Sequence, residues 1–361
     1  MMKVLIMIPR TNDGGIASYF NAIRNLLSAD VSFFNRGKAI WPEGTGLINE
    51  LIRMIKDYYN FWKEVRKKKY NIIHVNTFFG SMSILRDSVF IIIASLYRTK
   101  IILFFRGWDK KYIKRSRKFF FTKFILFRVS AIITLSKAEK KQLIRWGFKK
   151  NIFLESTTVD KNLVKGIDKS FLQNKFGKNN KINLLFLSRV EVSKGIYELV
   201  DAFNDLRKNK NNINLTIAGN GRELNNVKNY IHKKQIIGVN FAGFVSGDKK
   251  RKTFISSHIF ILPSYSEGMP NSVLEAFAFG LPVITTPVGG LRDIFNDKVN
   301  GFLVKPKDVN DLKEKIQTLI KDKQMMKRIS ITNYDYAKEK FVSTKVAKRI
   351  DDIYQKVVLV E

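Results

Sequence analysis

Short apolar runs recur along the chain, separated by segments in which apolar positions return every three or four residues. The first set reads KVLIMI, NIIHVN, KIILFF and AIITLS; the second reads INLLFLS, INLTIAG, VNFAGF, IFILPS and PVITT. Runs so continuously apolar suit strands buried on both faces, and their alternation with helical periods predicts parallel sheets covered by helices. The rhythm restarts near Lys181, after the polar, strand-free stretch DKSFLQNKFGKNNK. The pattern therefore predicts an α/β chain of two doubly wound domains, residues 1–178 and 179–340, with residues 341–361 as a C-terminal helix packing back on the first. Length agrees, because 361 residues exceed what one hydrophobic core organises. No short-period repeat or long low-complexity tract interrupts the pattern.

Composition narrows the classes. The chain has no cysteine, so disulfides and thiolate metal sites are excluded, which fits a reducing compartment. The apolar run of the opening MMKVLIMIPR is too short for a signal-peptide core and reads as a first strand. The longest apolar run, SVFIIIASLY, falls well short of the roughly 20 residues that span a bilayer. Charge changes the picture more. A net charge of +34 attracts polyanions, whether nucleic acid, anionic lipid or phosphorylated substrate, and about two thirds of the excess lies in the first 180 residues. Residues 111–128, KYIKRSRKFFFTKFILFR, are rich in cations and aromatics and hold no acid. Such a segment can lie on an anionic bilayer, or form an ordinary helix with a basic outer face and a phenylalanine core face. The first reading makes the protein cytoplasmic and peripheral on the inner face of the membrane. A nucleic-acid partner is not expected, since no binding motif appears and the aromatic runs look like core.

In doubly wound domains, ligands bind beyond the carboxyl ends of the strands, and there the candidate chemistry gathers. After KVLIMI, Gly14 and Gly15 open a helix, either as a tight turn or as a place where backbone approaches a ligand. Gly219 and Gly221 in AGNGREL lack the third glycine of a dinucleotide fingerprint, so they signal a cofactor only weakly. INLLFLS ends in SRVEVSKG, where Arg189 and Lys194 can grip one diphosphate, the arginine as a planar fork and the lysine as a point charge. IFILPS runs into SYSEGMPNSVLEAFAFGLPVITTPVGG. Here Gly268 and Pro270 shape a turn, Ser272 can cap the following helix, and Ser272 with Glu275 forms a capping box. Glu275 thus has a structural explanation, whereas Glu267 stands before the turn and caps nothing. The helix start also offers unpaired N–H groups suited to phosphate.

In order and spacing, SRVEVSKG, AGNGRE, FAGFV and the Glu267-x7-Glu275 segment resemble the retaining glycosyltransferases of family 4, which have the GT-B fold. GGIASYF, NIIHVN and AIITLSKAEKKQL resemble that family's first domain more loosely. The resemblance implies two Rossmann-like domains facing across a cleft, the first on the acceptor side and the second holding a nucleotide-diphosphate sugar. It implies that Arg189 and Lys194 hold the diphosphate and that Glu275 meets the ribose. Glu267, with the backbone of Gly268, Met269, Pro270 and Asn271, would meet the sugar, and Gly14 and Gly15 would face the donor. It further implies transfer to a glycan or lipid-linked hydroxyl with retention, in polysaccharide or lipopolysaccharide assembly, the departing phosphate taking the acceptor proton.

One departure concerns the first domain. Where the family often carries histidine before glycine, this chain has Arg106 in FFRGWDK, which can donate hydrogen bonds to sugar or phosphate but is no base near neutral pH. Asp109 is a candidate acceptor-side group or a turn aspartate, and His74 is a strand-end histidine or a ligand. No Asp-x-Asp occurs and the three histidines are scattered, so neither a carboxylate-held metal nor zinc is expected, and no cofactor beyond the donor. The rival readings are a basic nucleic-acid-binding protein, suggested by charge alone, and a sugar-nucleotide epimerase of the same fold.

Overall fold

The computed structural model describes residues 1–10, 14–37, 47–108, 119–176, 181–209 and 212–359. By their contacts these divide into two compact units, Met1–Ser156 with Ser343–Glu361, and Thr157–Val342.

The first unit holds strands β1 (Lys3–Pro9), β2 (Asp30–Arg36), β3 (Ile72–Phe79), β4 (Lys100–Trp108), β5 (Ala131–Thr134) and β6 (Asn151–Leu154). They form one parallel sheet in the order β2-β1-β3-β4-β5-β6. On one face Leu5, Ile73, Val75, Leu103 and Phe105 pack against Phe61 and Phe90 of the helices Leu47–Lys67 and Ser81–Ser95. The alternate residues Ile6, His74, Ile102 and Phe104 are equally buried, which is why these strands read as unbroken apolar runs. His74 does not end a strand. It lies inside β3, in register with Ile6 and Ile102, and its Nδ1 is 2.7 Å from the Tyr354 hydroxyl.

The second unit holds β7 (Ile182–Leu187), β8 (Ile213–Ala218), β9 (Val239–Gly243), β10 (Ile259–Leu262), β11 (Val283–Thr285) and β12 (Gly301–Leu303). Their order is β12-β11-β10-β7-β8-β9, again all parallel. The chain builds outward from β7 to β9, then returns to place β10 on the other side of β7. The gap between the carboxyl ends of β7 and β10 is thus the topological switch point, where a doubly wound sheet leaves a crevice.

The expected boundary after residue 178 lies too late. Val159 bridges Val342, the Tyr334 hydroxyl donates to the Ile167 carbonyl at 2.9 Å, and the helix Lys169–Lys175 packs on Lys323–Lys340. That helix starts where Asp168 accepts from the Phe171 N–H at 2.8 Å. A polar stretch without a strand reads as a linker, although it is already part of the second unit. The terminal helix Ser343–Leu359 clusters with the first unit, where Asp351 accepts from the Ser28 N–H at 2.9 Å and Arg349 pairs with Glu155 at 2.5 Å.

Candidate active site

The segments leaving β7 and β10 meet side by side at the second unit's switch point. After β7 the chain makes a short turn over Val192–Lys194, which buries Lys194 to 7% exposure. Its Nζ lies 2.7 Å from Glu267 Oε1, and the Ser264 hydroxyl donates to the same oxygen at 2.7 Å. Ser264 is itself fixed, its carbonyl accepting from the Thr286 hydroxyl beyond β11. A lysine and a carboxylate so far from water are tolerable because each supplies the other's counter-charge. The lysine expected to meet phosphate is therefore already held and aimed by Glu267.

Arg189 behaves differently. Its side chain is 71% exposed and pairs with Glu191 at 2.8 Å, so the two cations of SRVEVSKG do not converge on one point here. The loop carrying Arg189 lies against the turn after β8. Cβ atoms at Gly219 and Gly221 would overlap the carbonyls of Ser188 and Val190, while Val190 N–H donates to Asn220 at 3.0 Å. The glycine pair AGNG therefore serves close backbone packing under the Arg189 loop.

The helix after β10 runs from Asn271 to Ala278, with Pro270 preceding it and no side-chain cap. This corrects the expected capping box: Ser272 lies within the first turn, and Glu275 is committed elsewhere. A proline in extended conformation already sets the helix entry, and Glu275 is drawn to a cation from another element. Its Oε1 pairs with Lys250 of the helix Gly247–Ile255, while its Oε2 is buried with no hydrogen-bond partner among the described residues. A buried carboxylate oxygen left in that state is primed to accept a hydroxyl. Ahead of the helix, Gly268 accepts from the Gly290 N–H at 2.6 Å, and Met269 is buried with its sulfur 3.4 Å from the Thr157 nitrogen. The sequence drew attention to neither Lys250 nor Ser264. Lys250 sits in the lysine run GDKKRK, and nothing local marks which of those lysines turns inward.

In the first unit, Gly14 takes a φ of 122° just before the helix Gly15–Ile23, and among the described residues, its chain neighbours aside, no atom stands within 4 Å of where a Cβ would project. Arg106, near the end of β4, is sandwiched between aromatic faces, its guanidinium carbon 4.0 Å from the Tyr19 ring centre and 3.7 Å from that of Phe104. Its Nε donates to Asn76 at 2.9 Å, and its Nη2 has no hydrogen-bond partner among the described residues. Burial pulls its pKa down to about 10, which leaves it a cation at neutral pH. Burial, together with the Arg106 charge, holds His74 down to about 3, so this histidine is neutral and serves packing. Asp109 lies outside the described residues. Among the described residues no group of three or more His, Asp or Glu could hold a metal ion.

Both halves of the chain match family models, residues 29–161 that of glycosyltransferase family 4 and residues 168–336 that of the group 1 glycosyl transferases. An uncharacterised glycosyltransferase of Methanocaldococcus jannaschii is 29% identical over 255 residues, covering 70% of this chain and 68% of that one. The capsular polysaccharide biosynthesis glycosyltransferase CapM of Staphylococcus aureus is 26% identical over 224 residues, covering 61% of this chain and 56% of that one. Among solved structures, sucrose-phosphate synthase from Thermosynechococcus elongatus superposes over 100% of both chains with a TM-score of 0.78 at 16% identity. Anabaena HepE in complex with UDP and glucose superposes over 98% of this chain and 100% of that one, with a TM-score of 0.72 at 18% identity.

Proposed function

The chain belongs to the group 1 glycosyl transferases and has their two Rossmann-like units of GT-B type, and from that premise we propose that it transfers a sugar from a nucleoside-diphosphate donor to an acceptor hydroxyl with retention, in cell-surface polysaccharide assembly. The observation that carries this reading is the grouping of Lys194, Glu267 and Ser264 at the switch point, with Glu275 on the adjoining helix, whose Oε1 is paired with Lys250 and whose Oε2 has no hydrogen-bond partner among the described residues.

Breaking the sugar–phosphate bond leaves negative charge on the diphosphate and positive charge on the sugar. Lys194, held in place by Glu267, faces the departing phosphate; Arg189 leaves Glu191 to grip it as a fork; and the N-terminus of the helix at Asn271 adds its dipole. Preorganised charge of this kind needs no rearrangement as the bond breaks, and losing one such donor costs on the order of 3 kcal/mol in the barrier. Glu267 Oε1 holds both internal bonds, so Oε2 is the oxygen that accepts a sugar hydroxyl, with the Gly268–Asn271 backbone beside it. Glu275 Oε2 accepts from the ribose. Each glutamate is tied to its own lysine, which suits two binding roles better than an acid and nucleophile on one bond, and the leaving phosphate itself takes the acceptor proton. On the first unit, Gly14, Gly15 and Arg106 are the groups proposed to bind hydroxyl or phosphate, and Asp109 is the proposed acceptor-side group. The acceptor is a glycan or a lipid-linked glycan, reached from the inner face of the cytoplasmic membrane. Of the proposed membrane contact at residues 111–128, residues 111–118 lie outside the described residues, and the rest begins with the helix Phe119–Leu126.

A thermal-unfolding screen against nucleoside-diphosphate sugars tests the reading. One donor should raise the melting temperature, Arg189→Ala should abolish the rise, and the product anomer read by proton NMR should match the donor's. Cooperative unfolding with no shift for any donor would overturn it.

A further inference from the structure

The helix Leu47–Lys67 is apolar on two sides. Its inner side buries Asp57, Phe61 and Val65. Its outer side exposes Ile48, Leu51, Ile52, Ile55 and Tyr59, each 58% or more. At about 100° per residue these five fall within an arc of roughly 100°, a continuous stripe about three turns long. A surface helix of a soluble chain carries polar residues there, and an apolar stripe of this extent marks something that covers it.

The charges around the stripe say what. The helix has three acids, and all are engaged away from it: Asp57 with Arg10 and Arg53, Glu50 with Arg53, and Glu64 with Lys68. Of the helix's cations Arg53 meets those acids, while Lys56, Lys63, Arg66 and Lys67 are exposed alongside or beyond the stripe. An apolar band rimmed by cations, with no acid on the outer face, matches an anionic bilayer surface, where apolar side chains enter the headgroup boundary and cations meet the lipid charge. The same surface would repel another copy of so basic a chain. The neighbouring helix Ser81–Ser95 adds exposed Met82 and Leu85. No helix among the described residues is long and apolar enough to cross a membrane, so the contact is one of lying on the surface.

We propose that the outer face of Leu47–Lys67 docks the first unit on an anionic lipid bilayer. Docking rests on the transferase reading only in what it is for, bringing the first unit to a lipid-linked acceptor.

The full-length protein is sedimented with vesicles of phosphatidylglycerol and phosphatidylcholine at low salt, alongside vesicles of phosphatidylcholine alone. Binding should be confined to the anionic vesicles. The double variant Ile52→Glu with Ile55→Glu should lose about tenfold or more in vesicle affinity, while Ile55→Leu keeps it. Both substituted positions are exposed, so the variant should unfold at the wild-type temperature and keep its donor-induced shift. Undiminished vesicle binding by the double variant, or no binding by wild type, would overturn docking. So would a wild-type dimer in sedimentation equilibrium that the substitutions break, which would assign the stripe to a second copy. Donor stabilisation reads the transferase proposal separately on the same samples.

Discussion

Lys194 and Glu267 show how a charged residue can be structural before it is chemical. Their side chains are only 9% and 10% exposed and 2.7 Å apart, so removing either charge strands the other in a poorly solvated place. Glu267→Gln keeps the shape and a bond to Ser264 but leaves the ammonium uncompensated, and it should lower stability by about 1–3 kcal/mol. Lys194→Met should cost a similar amount, whereas the double variant should recover much of the loss, as expected for contacting partners. Urea unfolding of the four proteins checks this; additive losses would mean that the pair is not coupled. Glu267→Gln should also lose transfer, since Glu267 is proposed to accept a sugar hydroxyl, and that loss must be read with its stability measured. His74 makes a second residue-scale prediction. It is neutral when folded, with a pKa near 3, but gains a proton when unfolded below its ordinary value of about 6.5. The unfolded state then binds more protons between those values. The stability His74 contributes is therefore present in full above about pH 6.5 and lost as pH falls toward 3, at up to about 1.4 kcal/mol per pH unit. His258, held down to about 4 chiefly by burial, acts with the same sign. His74→Gln should flatten the decline between pH 7 and pH 5, and an unchanged slope would remove His74 from the account.

The turn after β11 supports the site from below. Gly289 has a φ of 56°, and a Cβ there would overlap the carbonyl oxygens of Glu267 and Gly268. Ala at this position must therefore push away the loop that carries Glu267. Gly289→Ala should lose donor binding more severely than its effect on melting suggests, because the displacement falls on the loop and not on the sheet core. A donor-induced thermal shift equal to wild type would sink that expectation. Elements of this kind also explain what was legible in the sequence. β7 to β11 and the helix after β10 announce themselves because strands covered by helices on both faces read as apolar runs, whereas the three-residue β12 and the edge strands β2 and β6 went unread. The switch-point loops stand out because their glycines, Pro270, Arg189, Lys194 and the two glutamates break that pattern. What stayed hidden is tertiary. Ser272 with Glu275 has the spacing of a capping box, yet Lys250, 25 residues earlier in the chain, takes the glutamate. The unit boundary was hidden for the same reason, since the packing of Lys169–Lys175 on a helix near residue 330 leaves no local mark.

Across the whole molecule, the +34 charge must raise the energy of the compact state, because ion pairs such as those of Lys194 and Lys250 neutralise only as many cations as there are acids to meet them. The rest repel one another over distances comparable to the Debye length, about 10 Å at 0.1 M salt. Salt should therefore act on this protein with opposite signs in two measurements. Raising sodium chloride from low to moderate concentration should raise the melting temperature by relieving self-repulsion. Over the same range it should weaken sedimentation with anionic vesicles, because the Lys56, Lys63, Arg66 and Lys67 rim is then screened from the lipid charge. The apolar stripe is not screened, so part of the vesicle binding should persist in wild type and vanish in the Ile52→Glu with Ile55→Glu variant. A melting temperature that falls with salt would show that local ion pairs outweigh the excess. Vesicle binding insensitive to salt would mean that the stripe acts without its cationic rim.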